Sequence, residues 1–316
     1  MPTRVLITGG AGFIGSALAR RLHEDGYELR LLDSFHRGHR QNVSDLLDSS
    51  RVELVEADIR DDTAVREAMT DVDVVVHLAA QCLNRSVEHP HESLDVNLLS
   101  TETVIDAAVE ADVDKLLAAS SASVYGDGEI PMAETDCPSP QTPYGVAKLG
   151  LEHLLDFHQR QDDLDYLAFR FFNVYGPGQH TDAYYTSVIN VFVERLLDGE
   201  PPVIHGSGEQ TMDFVHVDDI ARALHLGIES ESSGTVINVG SGEMTSIATL
   251  TELLIDIVGV DIEPQYKERD VIVSERQAAT EHAKETIGFE TEIPLREGLS
   301  DVVDWIAESQ TTADHA

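Results

Sequence analysis

The sequence predicts an α/β fold, a doubly wound and mostly parallel sheet with a smaller C-terminal region, and three observations predict it. Short apolar strand-like runs alternate with stretches of helical spacing through the first half of the chain. A glycine-rich turn, Gly9-Gly10-Ala11-Gly12-Phe13-Ile14-Gly15, joins the first of these runs to a helix. No internal repeat or low-complexity linker divides the 316 residues.

In chain order, residues 4–8 read as a short buried strand, and the glycine turn opens a helix that runs to Arg21. Residues 28–33, 52–56, 74–78 and 115–120 give four more strands. Between most of them lie helices, near 63–69 and over 92–110, the second with Leu94, Leu98, Val104 and Ile105 marking apolar faces. A helix over 144–160 and a strand over 166–172 follow. After Gly176 the rhythm changes: polar and aromatic loop to 185, a helix over 188–197, a strand and turn over 201–208, a strand over 214–217 feeding a helix from Asp218, a strand over 236–239 and a helix near 246–258. Chain organisation therefore suggests residues 1–175 as a dinucleotide domain and 176–316 as mainly substrate-binding, with some later segments returning to the first sheet.

Composition narrows the partners. With 58 acidic and 21 basic residues the formal net charge is -37, which opposes binding to nucleic acid or an anionic membrane. Lys115, Lys148, Lys267 and Lys284 are the whole lysine complement. Such a surface suits concentrated salt, where self-repulsion is screened. Any phosphate must then be held by local positive groups. No apolar run approaches the roughly 20 residues that span a bilayer, so the cytoplasm is the expected compartment. Cys82 and Cys137 are too few and too far apart to announce a disulfide framework or a metal site.

Glycines 9, 12 and 15 let the backbone turn sharply and approach a pyrophosphate at the helix N-terminus, with Phe13 and Ile14 in the same turn. Asp33 ends the second strand, 24 residues beyond Gly9, where a carboxylate accepts from ribose hydroxyls; its charge favours NAD over NADP, although Arg37 and Arg40 stand near enough in sequence to soften the preference. Asp58 and Ile59, after the third strand, are candidates for the adenine side, Asp58 reading almost as well as a surface aspartate. Leu78, Ala79 and Ala80 lie at the end of the fourth strand and just beyond it, and Phe171 lies near the end of the sixth; both places face the cofactor crevice of an open parallel sheet. His77 reads as a buried support for its loop, and the Asn97 amide as a fastener of helix to cofactor-side backbone and a candidate cofactor contact.

Tyr144 and Lys148, one helical turn apart, share a face. A free tyrosine titrates near 10, so a neighbouring ammonium is needed to bring its phenolate into working range. Ser121, in Ser120-Ser121-Ala122-Ser123-Val124-Tyr125-Gly126, supplies a hydroxyl at the end of the fifth strand. These three are the candidate catalytic residues. No spacing of His, Cys and acidic residues makes a compelling metal site.

On these motifs, together with His77-Leu78-Ala79-Ala80-Gln81, Phe172-Asn173-Val174-Tyr175-Gly176-Pro177 and Asp213-Phe214-Val215-His216-Val217-Asp218-Asp219, the chain resembles the extended short-chain dehydrogenase/reductase family, in its NAD-dependent nucleotide-sugar epimerase/dehydratase branch. The resemblance implies a Rossmann-type domain, bound NAD, Tyr144 as catalytic base and acid, Lys148 as its electrostatic partner and ribose ligand, Ser121 beside the sugar oxygen, Ser123 in the substrate pocket and Asn173 on the sugar or its diphosphate. It also implies a homodimer built on helices 92–110 and 144–160, with Val104, Ala107, Leu151 and Leu155 facing either the partner or their own sheet.

Ala122 and Ser123 replace the Asp-Glu pair of sugar 4,6-dehydratases, which disfavours elimination and leaves UDP-glucose/UDP-galactose-type 4-epimerisation as the leading expectation. UDP-glucuronate decarboxylation and a dinucleotide-sensing or scaffolding role are the alternatives. Met212 stands where the family usually carries an arginine for the substrate diphosphate, leaving Lys267, Arg269 or Arg170 to meet the phosphate.

Overall fold

The computed structural model of the protein describes residues 3–179, 187–268 and 275–313. The first half runs β1 (Arg4–Thr8), α1 (Phe13–Glu24), β2 (Glu28–Asp33), β3 (Val52–Glu56), α2 (Asp62–Ala68), β4 (Val74–His77), α3 (Leu83–Glu88), α4 (Pro90–Leu94), a π-helical turn (Asp95–Leu99), α5 (Ser100–Glu110), β5 (Lys115–Ser121), α6 (Pro143–Asp162) and β6 (Tyr166–Phe171). The second half adds β7 (Asn173–Tyr175), α7 (Val188–Leu197), β8 (Val203–His205), β9 (Thr211–Met212), β10 (Phe214–His216), α8 (Val217–Glu229), β11 (Thr235–Val239), β12 (Thr245–Ser246), α9 (Ile247–Val258), β13 (Gln265–Lys267), α10 (Glu281–Ile287) and α11 (Leu295–Ala313).

Seven strands form one parallel sheet in the order β11-β6-β5-β4-β1-β2-β3. Both faces are covered, as the near-continuous burial of β1, β4, β5 and β6 requires. Leu18, Leu22, Leu224 and Phe169 belong to the apolar layer on one face, where α1 packs against α8. Val65, Val104, Ile105, Leu151 and Leu155 fill the other, under α2, α5 and α6. A separate cluster of Ile189, Phe192, Leu250, Leu254, Leu299 and Val302 holds α7, α9 and α11 together as the smaller lobe. The chain crosses back after that lobe begins, because β11 extends the large sheet beside β6.

Val104, Ala107, Leu151 and Leu155 are 0–2 % exposed in the single chain. They face their own sheet, which removes them as interface residues. Leu99, Val146 and Phe157 are instead the large apolar side chains these helices leave exposed, at 62 %, 47 % and 54 %. The helix expected over 92–110 is interrupted by the π-turn, whose extra residue re-aims Asn97 inward, where it is 1 % exposed. The sign reversal in strand order puts β1 between β2 and β4, so a crevice opens beyond their carboxyl ends.

Candidate active site

A cleft of about 640 Å³ runs along those strand ends. The glycine turn, Asp33, Asp58, Ile59, Leu78, Ala79 and Ala80 line it together with Ser121, Ser123, Tyr144, Lys148, Phe171 and Asn173.

The glycine turn is built by backbone packed on backbone. Gly9 has φ +70, and a Cβ there would stand 2.9 Å from the Ala79 nitrogen; a Cβ on Gly15 would stand 2.2 Å from the Gly9 carbonyl oxygen. Helix α1 starts at Phe13 after Gly12, with no side chain capping it and no acidic residue in its first turn. Its first N–H groups therefore remain available to an anion in the cleft, an arrangement that fits a dinucleotide pyrophosphate.

Asp33 does more than end a strand. It accepts from Ala11 N at 2.9 Å and Phe35 N at 2.8 Å, so it also fixes the turn. Burial pushes its carboxyl above the usual range, against those two donors. Asp58 borders the cleft, but its carboxylate is taken by Arg60, whose hydrogen bonds at 3.0 and 2.7 Å hold it below the usual range.

His77 bridges Thr8 Oγ1 at 2.7 Å and Thr101 Oγ1 at 3.0 Å, and Thr8 Oγ1 in turn accepts from Leu78 N and Ala79 N, each at 3.2 Å. Burial, then the nearby Lys148 charge, lowers the imidazole to about 3, so it is a neutral clamp and not a base. Asn97 does not reach the cleft. Its amide accepts from Gln81 N at 2.8 Å and donates to Gln81 O at 3.1 Å, holding the loop whose residues line the cleft.

Helix α6 delivers the pair proposed for proton transfer. Pro143 opens it and Thr142 Oγ1 caps Gly145 N at 3.1 Å, which places Tyr144 in its first turn, where the helix dipole favours a phenolate. Gly145 is required there, since a Cβ would meet the Ser123 carbonyl at 2.6 Å; that close approach brings the helix against the Ser121–Val124 turn. Lys148 is 1 % exposed. Its Nζ donates to Ala119 O at 2.7 Å and lies 5.7 Å from the Tyr144 ring centroid. Burial lowers the ammonium to about 8, with Glu152 opposing. Ser121 Oγ accepts from Ser123 N and donates to Ser123 Oγ, both at 3.1 Å, which orients the two hydroxyls together.

The expected phosphate contacts are redistributed. Met212 packs toward the apolar cluster of the smaller lobe. Lys267 is exposed on β13, paired with β8, and does not line the cleft. Arg170 is committed to Glu152 by two bonds of 2.9 and 2.7 Å and to Tyr125 by one of 2.8 Å. Arg269 lies outside the described residues. Asn173 does border the cleft, its side chain donating to Asp213 O at 3.0 Å. Arg276, which no sequence motif marked, lines the cleft instead. Away from the cleft, His158 meets Asp162 at 2.8 Å and Glu102 at 3.2 Å, with Asp106 nearby, a cluster that sequence spacing does not announce.

Residues 5–240 match the family model described as NAD dependent epimerase/dehydratase family. A putative UDP-glucose 4-epimerase of Methanocaldococcus jannaschii is 34 % identical over 313 residues, covering 98 % of this chain and 100 % of the relative. The solved UDP-glucose 4-epimerase of Thermotoga maritima, with UDP-glucose, superposes with a TM-score of 0.91 at 33 % identity, over 98 % of this chain and all of that one. That of Thermus thermophilus, in complex with NAD, gives 0.86 at 31 % identity, over 96 % and 99 %. Likeness over the full length, on a fold whose glycine turn and tyrosine-lysine helix meet in one cleft, shows that the chain belongs to the NAD-dependent epimerase/dehydratase family.

Proposed function

We propose that the protein is an NAD-dependent nucleotide-sugar 4-epimerase, acting on UDP-glucose and UDP-galactose or their N-acetylated equivalents. The observation that carries this reading is the buried Lys148 ammonium beside Tyr144, on the same cleft as an uncapped glycine turn. Phe13, Ile14 and Gly15 would hold the pyrophosphate of NAD and Asp33 its ribose. NAD, when bound, supplies the hydride acceptor and then the donor at C4, so that only configuration changes there.

The chain's own residues manage the proton. Tyr144 takes it from the C4 hydroxyl, because the Lys148 charge and the first turn of α6 stabilise the phenolate. Ser121, oriented by Ser123 N, hydrogen-bonds the reacting oxygen. Tyr144 returns the proton to the inverted alkoxide. Dehydration would need a further acid and base near the sugar. Among the described lining residues the carboxylates are Asp33, Asp58 and Glu92, and these serve the glycine turn, Arg60 and Arg85 respectively.

Incubating the wild type at high salt with UDP- and dTDP-sugars should give epimers without stoichiometric NADH. Tyr144→Phe should bind NAD and lose conversion by a factor of roughly 100 or more. Full turnover by that variant would remove Tyr144 from the mechanism, and absence of turnover by the wild type would leave a dinucleotide-sensing role.

The same proposal includes a homodimer in the cytoplasm. Exposed Leu99, Val146 and Phe157 on adjoining helices supply apolar surface for the pairing, and the two cysteines are free. No helix among the described residues is long and apolar enough to cross a membrane.

A further inference from the structure

Among the described residues, Arg37, Arg60, Lys148 and Arg276 are the lysines and arginines bordering the cleft. Arg37 and Arg60 stand with Asp33 and Asp58 at the cofactor end, Arg60 being bound to Asp58, and Lys148 is bound to Ala119 O. Arg276 differs. It is half-buried yet makes no hydrogen bond or ion pair with a described residue, and burial works against its charge, a cost that among the described residues the field of Asp127 opposes. A guanidinium does not escape such a site by losing its proton. An uncompensated buried charge is costly, and an arriving anion removes the cost.

The chain directly after it is held by two partners. Met132 N donates to Gln277 O at 2.7 Å and Ala279 N to Met132 O at 2.9 Å, while Ala278 N donates to the fully buried Asp213 carboxylate at 2.9 Å. Ala278 packs with Ala122, Val124 and Phe172, the wall that carries Ser121 and Ser123. Arg276 is thus anchored beside the Ser121–Val124 wall of the cleft, in a chain whose net charge of -37 disfavours anionic ligands unless a local positive group meets them.

We propose that Arg276 is a specificity-determining residue that receives an oxyanion of the nucleotide sugar, either a carboxylate on the sugar or the diphosphate. This rests on the nucleotide-sugar reading above. The two sources separate chemically: UDP-glucose brings the diphosphate alone, and UDP-glucuronate brings both.

The test compares wild type, Arg276→Gln and Arg276→Lys with each compound in the NAD-loaded protein, by calorimetric binding and by turnover. A charge-assisted hydrogen bond is worth roughly a tenfold to hundredfold change in affinity. Arg276→Gln should weaken binding by that factor and raise KM more than it lowers kcat, with Arg276→Lys recovering part of the loss. Loss confined to UDP-glucuronate assigns the carboxylate; equal loss for both compounds assigns the diphosphate. Unchanged affinity for both in Arg276→Gln overturns the proposal. Wild-type binding without conversion of any sugar would end the epimerase reading while leaving the arginine's role to be read from affinity.

Discussion

Lys148 donates from its buried Nζ to the carbonyl of Ala119, 2.7 Å away, and this bond carries the ammonium across the end of β5 to a point beside the Tyr144 ring. The lysine's charge is held where solvent does not reach it, so its field on the phenol is weakly screened.

Holding that charge costs stability. The folded Lys148 titrates near 8, below its ordinary 10.5, so between these values the unfolded chain binds the extra proton and stability rises with pH. Below about 8 both states are protonated and the whole cost is present, roughly 3 kcal/mol for this shift. Lys148→Met should therefore lose turnover yet melt higher than wild type at pH 7, the difference shrinking toward pH 10. Parallel melting curves for the two proteins across that window would show that burial does not depress the lysine.

Glu152, one turn beyond Lys148, accepts two bonds from Arg170 and one from Ser120 Oγ at 2.5 Å, all buried. Its charge opposes the depression of Lys148. Glu152→Gln should cost about 3–5 kcal/mol, because it leaves the Arg170 charge inside without its partner. It should also move the alkaline limb of the kcat profile to lower pH. Pairing it with Arg170→Met should restore much of the stability but not the original pH profile, a separation that denaturant melts and pH-rate curves read independently.

Gly15→Ala tests the glycine turn. The added methyl would collide with the Gly9 carbonyl and crowd the Gly10 backbone, so the turn itself has to move. Overpacking of this kind costs about 1–3 kcal/mol, and displacement of the α1 N–H groups should weaken NAD binding by at least tenfold while the Tyr144 side of the cleft is undisturbed. Unaltered NAD affinity in a folded variant would contradict the packing of backbone on backbone.

Local chemistry was legible and long-range partnership was not. Glycines 9, 12 and 15, Asp33 and the Tyr144–Lys148 spacing each state a backbone or charge requirement within a few residues, and each lies where such a requirement predicts. Leu295–Ala313 shows the opposite case: Leu299, Val302, Val303 and Ile306 keep helical spacing and are buried, but this α11 was not assigned from the sequence because nothing local tells which lobe receives its apolar face. Arg276 was invisible for a related reason. Its position is set by Asp213, 63 residues earlier, through the bond to Ala278 N, and no spacing rule reports a contact of that kind. Asn97 was legible as a fastener, and the structure shows that bond, to Gln81; the π-turn that aims it there was not legible.

Salt response follows from which electrostatic effect wins. Exposed pairs such as Arg160–Asp156, Lys284–Glu290 and Arg296–Asp256 are weakened by salt, but each is worth under about 1 kcal/mol. Against them stands the repulsion among 58 acidic residues that 21 basic ones cannot neutralise. Screening shortens from about 10 Å at 0.1 M to about 3 Å at 1 M, so repulsion over typical surface spacings is removed while short pairs keep part of their attraction. The melting temperature should rise by several degrees between 0.1 and 2 M KCl. Acid acts in the opposite direction through the neutral His77 clamp: its folded value near 3 lies below the ordinary 6.5, so its contribution is complete above 6.5 and declines toward 3. A His77→Gln variant should lose that acid slope and keep the salt response, which separates the clamp from the surface. A wild-type melting temperature that fell with KCl would mean the ion pairs, and not the excess carboxylates, govern this surface.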